Sequence, residues 1–316
     1  MLQGPVLNHT CLRVKDPKVS IPFYEKHFGF VKQKVINGDS FSLYILGIPN
    51  SIEPGANWGA QSGLLELKHD FGSENDPNFS VNNGNDAPHR GFGHICVSVD
   101  NIVESEKKLL ADGVQFKKKL SDGRQKNIAF VLDPDGYWIE LIENGINKQE
   151  GKTDLATYKL NHTMVRVTDP KKSLDFYRNV LGFKLLTTLN FEEAKFSLYF
   201  LAFDDSESFV ENVSTDNSQR TGILELTHNW GTESDPEFKG YHNGNTTEDG
   251  AKRGYGHICV SVKDPLEIVS KIDSFGSEWI QKYGEAGELG FFRDPDGYEI
   301  EIFHHGILPG TEVASL

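Results

Sequence analysis

Eight residues of metal-ligand type fall at matching places in the two halves of the chain. They are His9, Glu66, His94 and Glu140, then His162, Glu225, His257 and Glu301. Each sits among apolar neighbours, as in Leu64-Leu-Glu-Leu67 and Tyr137-Trp-Ile-Glu-Leu-Ile142. A carboxylate on the inward face of a strand is expensive to bury without a partner. Two imidazoles and two carboxylates would balance a divalent cation through nitrogen and oxygen ligands, with no thiolate. One such histidine or glutamate alone reads as a hydrogen-bonded core residue or a solvent-facing charge. Recurrence at matched places favours the cation.

Strand parity adds polar residues to each set. Arg13 shares a face with His9, while Arg90 stands four residues before His94 and Arg253 four before His257. Asp70, matched by Asn229, shares parity with Glu66, and Trp138 with Glu140. Each lies within about 13 Å of its ligand along an extended strand. That is the reach of a tripeptide-sized substrate with reacting atoms at the cation and carboxylates at the arginines. Cys11, Cys96 and Cys259 share parity with the ligand histidines and read as small core residues, since no base activates them. His27, His69, His89, His228, His242, His304 and His305 show no repeated partner set and read as surface or loop histidines.

The elements that must position these residues are written twice. Leu7-Asn-His-Thr-Cys-Leu-Arg-Val14 returns as Leu160-Asn-His-Thr-Met-Val-Arg-Val167, and Arg90-Gly-Phe-Gly-His-Ile-Cys-Val-Ser-Val99 returns at 253–262. Asp133-Pro-Asp-Gly-Tyr137, which suits a type I turn, returns at 294–298. This period is far longer than a solenoid repeat and marks a duplicated domain. Residues 1–146 form the first domain, 147–157 a polar linker and 158–316 the second. Within each half the pattern is strand, helix, three strands, twice over. Pro22 is awkward in the first helix and requires it to begin near Ser20. A Gly/Asn/Asp-rich loop at 71–89 precedes the strand at 93–99. The glycines before His94 make no phosphate loop, because no helix follows directly.

Bulk properties exclude several partners. The chain has 316 residues, 37% hydrophobic and 25% charged, with a net charge of −14 and no long basic run. That balance argues against nucleic acid and anionic membranes. The apolar stretches are strand-sized, so no membrane span is expected. The N-terminus lacks a secretory pattern. Three cysteines without a CxxC suggest a reducing compartment and a cytoplasmic protein.

Nearly the whole chain resembles glyoxalase I (lactoylglutathione lyase) in its fused, double-length form, within the vicinal oxygen chelate (VOC) superfamily. The resemblance is carried by His162 to Pro170, Leu224-Glu-Leu-Thr-His-Asn-Trp-Gly-Thr-Glu233, Arg90 to His94 and Asp133 to Glu140. It implies an α+β fold of tandem glyoxalase-type domains, each of two paired βαβββ modules. It also implies a substrate, the glutathione hemithioacetal of methylglyoxal, isomerised to S-lactoylglutathione through a metal-stabilised enediolate. Each site would take two ligands from each half: His162 and Glu225 with His94 and Glu140, and His9 and Glu66 with His257 and Glu301. Glu140 and Glu301 would be the general bases. Long loops at 48–62 and 71–89 resemble the zinc-dependent branch, so two Zn²⁺ per chain are expected in a monomer, with Ni²⁺ or another divalent ion as the alternative.

The resemblance further implies that Arg90, Lys118, Trp138, Arg166 and Asn229 bind substrate at the Glu140 site. Arg13, Asp70, Arg253 and Lys282 are their nearest counterparts at the other, where Glu299 replaces the tryptophan. Two extra negative charges there, at Glu299 and Asp70, predict weaker binding of an anionic adduct. The rival readings are an extradiol dioxygenase with a two-histidine, one-carboxylate iron, and a metal-free ligand-sequestering VOC protein. Steady-state kinetics of Glu140→Gln and Glu301→Gln, each leaving one intact site, should give the higher KM for the Glu301 site.

Overall fold

The computed structural model describes residues 4–52, 57–214, 216–285 and 287–306. The extreme ends assigned to the two domains, the first three residues of the N-terminal pattern and the middle of the 48–62 loop lie outside those bounds. The first half contributes β1 (Val6–Arg13), α1 (Pro17–Phe28), β2 (Val31–Asn37), β3 (Phe41–Gly47) and β4 (Leu64–Asp70). It continues with β5 (Phe92–Val99), α2 (Ile102–Ala111), β6 (Phe116–Lys118), β7 (Ala129–Leu132) and β8 (Trp138–Glu143). The second half repeats this as β9 (Lys159–Val167), α3 (Pro170–Asp175), β10 (Lys184–Phe191), β11 (Phe196–Ala202) and β12 (Ile223–Asn229). It ends with β13 (Tyr255–Val262), α4 (Pro265–Phe275), β14 (Trp279–Gln281), β15 (Leu289–Arg293) and β16 (Glu299–His304).

These strands form two eight-stranded sheets, and each sheet takes one module from each half. Their orders are β14-β15-β16-β13-β1-β4-β3-β2 and β10-β11-β12-β9-β5-β8-β7-β6. The seams are antiparallel, β1 against β13 and β5 against β9. The halves therefore join edge to edge through backbone ladders, not face to face across an open cleft. Joining the modules in this way also removes four exposed strand edges, two at each seam.

One contiguous apolar core holds Leu12, Ile95, Val97, Val165, Ile258 and Val260 from the inner strand faces. It also holds Tyr24, Leu109 and Ile272 from α1, α2 and α4, and Phe176 from the π-helical turn that follows α3. The opposite faces carry the ligand-type residues.

Matched residues meet where the halves cross. Thr10 and Thr163 touch Oγ1 to Oγ1, the rings of Phe92 and Tyr255 stack 5.1 Å apart, and Asn82 Nδ2 donates to His242 Nδ1 at 3.1 Å. The glycine-rich approach to each ligand strand serves this crossing. A Cβ on Gly91 would lie 1.9 Å from the carbonyl oxygen of His242, and one on Gly254 1.9 Å from that of Asn82. No side chain fits at either place.

Helix α1 begins at Pro17 under an Asp16 cap whose side chain accepts from Lys18 N, and it contains Pro22. The expected start near Ser20 is therefore wrong. Pro22 is exposed, so the Lys18 carbonyl left without an i+4 donor faces the water side of the helix. The 147–157 segment is packed: Thr153 Oγ1 donates to Asp100 Oδ1 at 2.5 Å, and Asn144 Nδ2 to the Thr157 carbonyl at 3.1 Å. Among the described residues no helix is long and apolar enough to cross a membrane.

The Asp-Pro-Asp-Gly turns anchor helices of the preceding modules. Tyr24 OH donates to Asp133 Oδ2 at 2.9 Å, and Tyr177 OH to Asp294 Oδ2 at 2.8 Å. Burial and a neighbouring aspartate push both carboxyls up to about 7 despite these donors. A carboxyl raised on folding contributes stability that is complete below its unfolded value, near 4, and is lost as pH rises through about 7. Urea midpoints should thus fall less between pH 5 and pH 8 in Asp133→Asn/Asp294→Asn than in the unaltered protein.

Candidate metal centres

Register brings the ligand-type residues together around each seam. Cys96 pairs with His162 across β5–β9 and with Glu140 across β5–β8, while Met164 pairs with Glu225 across β9–β12. Side chains two positions apart share a face, so His94, Glu140, His162 and Glu225 converge from four adjacent strands. The Nε2 atoms of His94 and His162 are 3.2 Å apart. Glu140 Oε2 lies 3.3 Å from His94 Nε2 and 3.1 Å from His162 Nε2, and Glu225 Oε2 lies 3.1 Å from His162 Nε2. All four residues are buried.

The second seam repeats the arrangement. His9 and His257 Nε2 are 3.1 Å apart, and Glu301 Oε2 is 3.1 Å and 3.3 Å from them. Glu66 is looser, at 3.6 Å from His9 and 3.8 Å from His257.

The tautomers show what these atoms await. Asn161 Nδ2 donates to the carbonyls of Asn217, Ser218 and Arg220, which leaves Oδ1 to accept from His162 Nδ1 at 2.8 Å. Asn8 does the same for His9 at 2.7 Å, anchored on the carbonyls of Trp58, Gly59 and Gln61. With Nδ1 committed to the asparagine, a neutral His9 or His162 would point its Nε2 lone pair at carboxylates and at a second imidazole. Such a convergence needs a positive charge. Ligand atoms about 2.0–2.2 Å from one ion sit roughly 3–3.5 Å from each other, as most of these do. The four residues of the first set all bring a ligand atom within 4.8 Å of one another. The donor set therefore fits a divalent metal.

Burial alone would lower the imidazole of His162 and raise the carboxyl of Glu140. Contacts with Cys96, Glu140 and Glu225 reverse the first, and hydrogen bonds from His162 and His94 reverse the second. His9 and Glu301 are shifted in the same senses, against burial, by Glu66 with Glu301 and by His257 with His9 respectively. Burial pushes the Cys96 thiol up to about 12, so thiolate ligation has no support there.

A cavity of about 1000 Å³ opens over the first set, lined by Trp138, Arg166 and Asn229 with Phe130, Leu198 and Phe200. The Arg166 guanidinium is held by the carbonyls of Gly84, Gly91 and Phe92 and by Asn85 Oδ1. Asn229 Nδ2 donates to Tyr241 OH at 2.9 Å. Arg90 is exposed and does not line this cavity.

Lys118 departs from expectation. It pairs with Phe130, but its Nζ donates to the carbonyls of Gln125 and Ile128 at 2.7 Å and does not line the cavity. It holds the loop whose residues do. Lys282 also departs, because it turns to Asp273 on α4 at 2.7 Å, away from the Glu301 set. Arg13 NH1 reaches the Tyr255 carbonyl at 3.2 Å, Asp70 lies 3.7 Å from Lys68, and Arg253 Nε donates to the Asn245 carbonyl at 3.1 Å.

His69 and His228, read as unpartnered, do share a repeated partner. Each contacts a glutamate five residues on, Glu74 or Glu233, at 2.8 Å, and that glutamate also accepts from Gly72 N or Gly231 N. They brace a turn. Asn8 and Asn161 escaped the sequence reading, though both precede a ligand histidine in matching contexts.

The Glyoxalase/Bleomycin resistance protein/Dioxygenase superfamily matches residues 6–141 and again 159–302. "Glyoxalase I" of Saccharomyces cerevisiae is 46% identical, covering 96% of this chain and 93% of its own. The chain belongs to the glyoxalase I family. A "Lactoylglutathione lyase" of Schizosaccharomyces pombe is 42% identical over 94% of this chain and 95% of its own. The fold is that of Zea mays glyoxalase I, with a TM-score of 0.68 at 20% identity over 95% of this chain and 92% of that one.

The protein is thus a lyase of the glyoxalase I type with both VOC domains in one chain. Full-length relatives at these identities speak against the dioxygenase and sequestering alternatives. If the asparagines set the glyoxalase I ligand tautomers, Asn161→Ala should weaken metal retention at one of two sites about 10–100-fold. Competition with a chromophoric chelator would read this, and Asn8→Ala should act on the other site.

Proposed function

We propose that the chain isomerises the glutathione hemithioacetal of methylglyoxal to S-lactoylglutathione at two sites, each holding one Zn²⁺. The observation that carries this reading is the pair of two-histidine, two-glutamate clusters, the first tight and buried and the second looser with His257 half-buried, each with an asparagine on its leading histidine. The ion would be held by His94, Glu140, His162 and Glu225 at one seam, and by His9, Glu66, His257 and Glu301 at the other. When bound it would supply the positive charge that makes the substrate's C–H acidic.

Glu140, and Glu301 in the second site, then acts as base. Each carboxylate is buried and kept ionised by the two imidazoles beside it, and as those contacts loosen it can take a proton from one carbon and return it to the next. Glu225 stands on β12, next to the seam strand β9, and completes the charge balance. Trp138 walls the first cavity, and Lys117 Nζ lies over its ring at 5.1 Å. Arg166 and Asn229, further along the same cavity, form its polar end for the glutathione carboxylates. Because one chain supplies both sides of both seams, the working unit is a monomer. A glutathione-dependent detoxifying role fits the cytoplasm.

Metal analysis should find two ions per chain, and chelation should abolish turnover of the methylglyoxal adduct, with recovery on adding Zn²⁺. Glu140→Gln/Glu301→Gln should lose about 10²–10⁴-fold in kcat while each single variant keeps one site. A metal-free protein with full lyase activity would refute the reading.

A further inference from the structure

The surroundings of the two ligand sets differ at the end away from Arg166 and its counterpart Arg13. Hydrogen bonds align them: the asparagine before each ligand histidine donates to Trp58 O, Gly59 O and Gln61 O in one, and to Asn217 O, Ser218 O and Arg220 O in the other. Trp58 thus occupies the place of Asn217. Phe303, two residues after Glu301, occupies the place of Ile142, two after Glu140.

At the first set Ile142, Asn217 and Ser218 line the cavity, which continues past His162, and Ile142 and Phe200 are only half-buried. At the second, the Phe303 ring stacks on His9 with centroids 6.4 Å apart, and Trp58 packs on Phe303 at 5.5 Å. Phe303 and Ile45, the counterpart of Phe200, are both fully buried at 0% exposure. The same end is lined by half-buried side chains at one site and filled by the stacked rings of Phe303 and Trp58 at the other.

Orientation says which part of the substrate meets this wall. Arg166 lies four residues beyond His162 along β9, and Ile142 and Asn217 lie on the other side of the histidine. An adduct whose carboxylates face the arginine end directs its carbon substituent toward the Ile142 end. We propose that the two sites divide substrates by the size of that substituent. On the functional reading above, the His162 site accepts adducts of aromatic or branched 2-oxoaldehydes, and Trp58 with Phe303 restricts the His9 site to small ones such as methyl. A group that overfills a rigid apolar pocket loses about 10–200-fold in kcat/KM per methylene-scale mismatch.

The test uses the full chain loaded with metal. Glu140→Gln leaves the His9 site and Glu301→Gln the His162 site, and each is assayed with glutathione adducts of methylglyoxal and phenylglyoxal. The phenylglyoxal-to-methylglyoxal ratio of kcat/KM should be at least about tenfold lower for Glu140→Gln. Adding Trp58→Asn and Phe303→Ile to that variant should raise the ratio toward the Glu301→Gln value. Equal ratios, or no rise in a widened variant that still turns over methylglyoxal, would overturn the size division while leaving the lyase reading intact. Absence of methylglyoxal turnover in the unaltered protein would overturn both.

Calorimetry on the unaltered protein supplies a readout independent of turnover and of the widened variant's folding. S-methylglutathione should bind at two equivalents per chain, and S-benzylglutathione tightly at one. Two equal benzyl sites would overturn the proposal.

Discussion

Everything at the two centres depends on backbone pairing between the halves. Neither half carries a complete ligand set on one sheet: His94 and Glu140 stand on β5 and β8, and their partners on β9 and β12. The β5–β9 ladder puts His162 opposite Cys96, and the pleat then carries His94 and His162 to one face. A slip of one residue along that seam would turn the histidines toward the apolar core. Register is specified by alternation itself, since Ile95, Val97, Val165 and their counterparts must stay inside.

That constraint also explains the small residues beside the ligands. A cysteine faces each first histidine across the seam, Cys96 to His162 and Cys259 to His9. Both are fully buried. A larger side chain there would crowd the imidazole that Asn161 or Asn8 holds in place. The charges converging on that imidazole explain why the asparagines carry so many bonds. An imidazole among carboxylates can rotate or take a second proton unless Nδ1 is committed elsewhere, and three carbonyls commit the asparagine that commits it.

Much of this was legible in the sequence because it was written twice. The ligand residues announced themselves as charged positions in otherwise apolar strands, with partners of the right type at equal places. What hid was whatever depends on side-chain direction beyond parity. Lys118 lies on the expected face but spends its ammonium on the Gln125 and Ile128 carbonyls, and Lys282 reaches back to Asp273. A cation on a short edge strand can bend toward several acceptors, and spacing alone does not choose among them. The pairing of His69 with Glu74 and of His228 with Glu233 was recoverable, because both glutamates repeat five residues on. Pro22 misled because its cost depends on whether the freed carbonyl meets water, which only the packed helix shows. The joining of modules across halves left no local mark, since strand partners distant in sequence are chosen by the whole assembly.

The crossing point holds one more consequence. In an arrangement of two identical subunits, a residue on the symmetry axis meets its own copy and can only form a self-complementary contact. Here Asn82 meets His242, and Phe92 meets Tyr255. Genetic linkage of the copies releases such positions from having to match, so an amide can face an imidazole. Drift of this kind makes the joined pair hard to separate again, because neither moiety would fit a duplicate of itself as well as it fits its sibling.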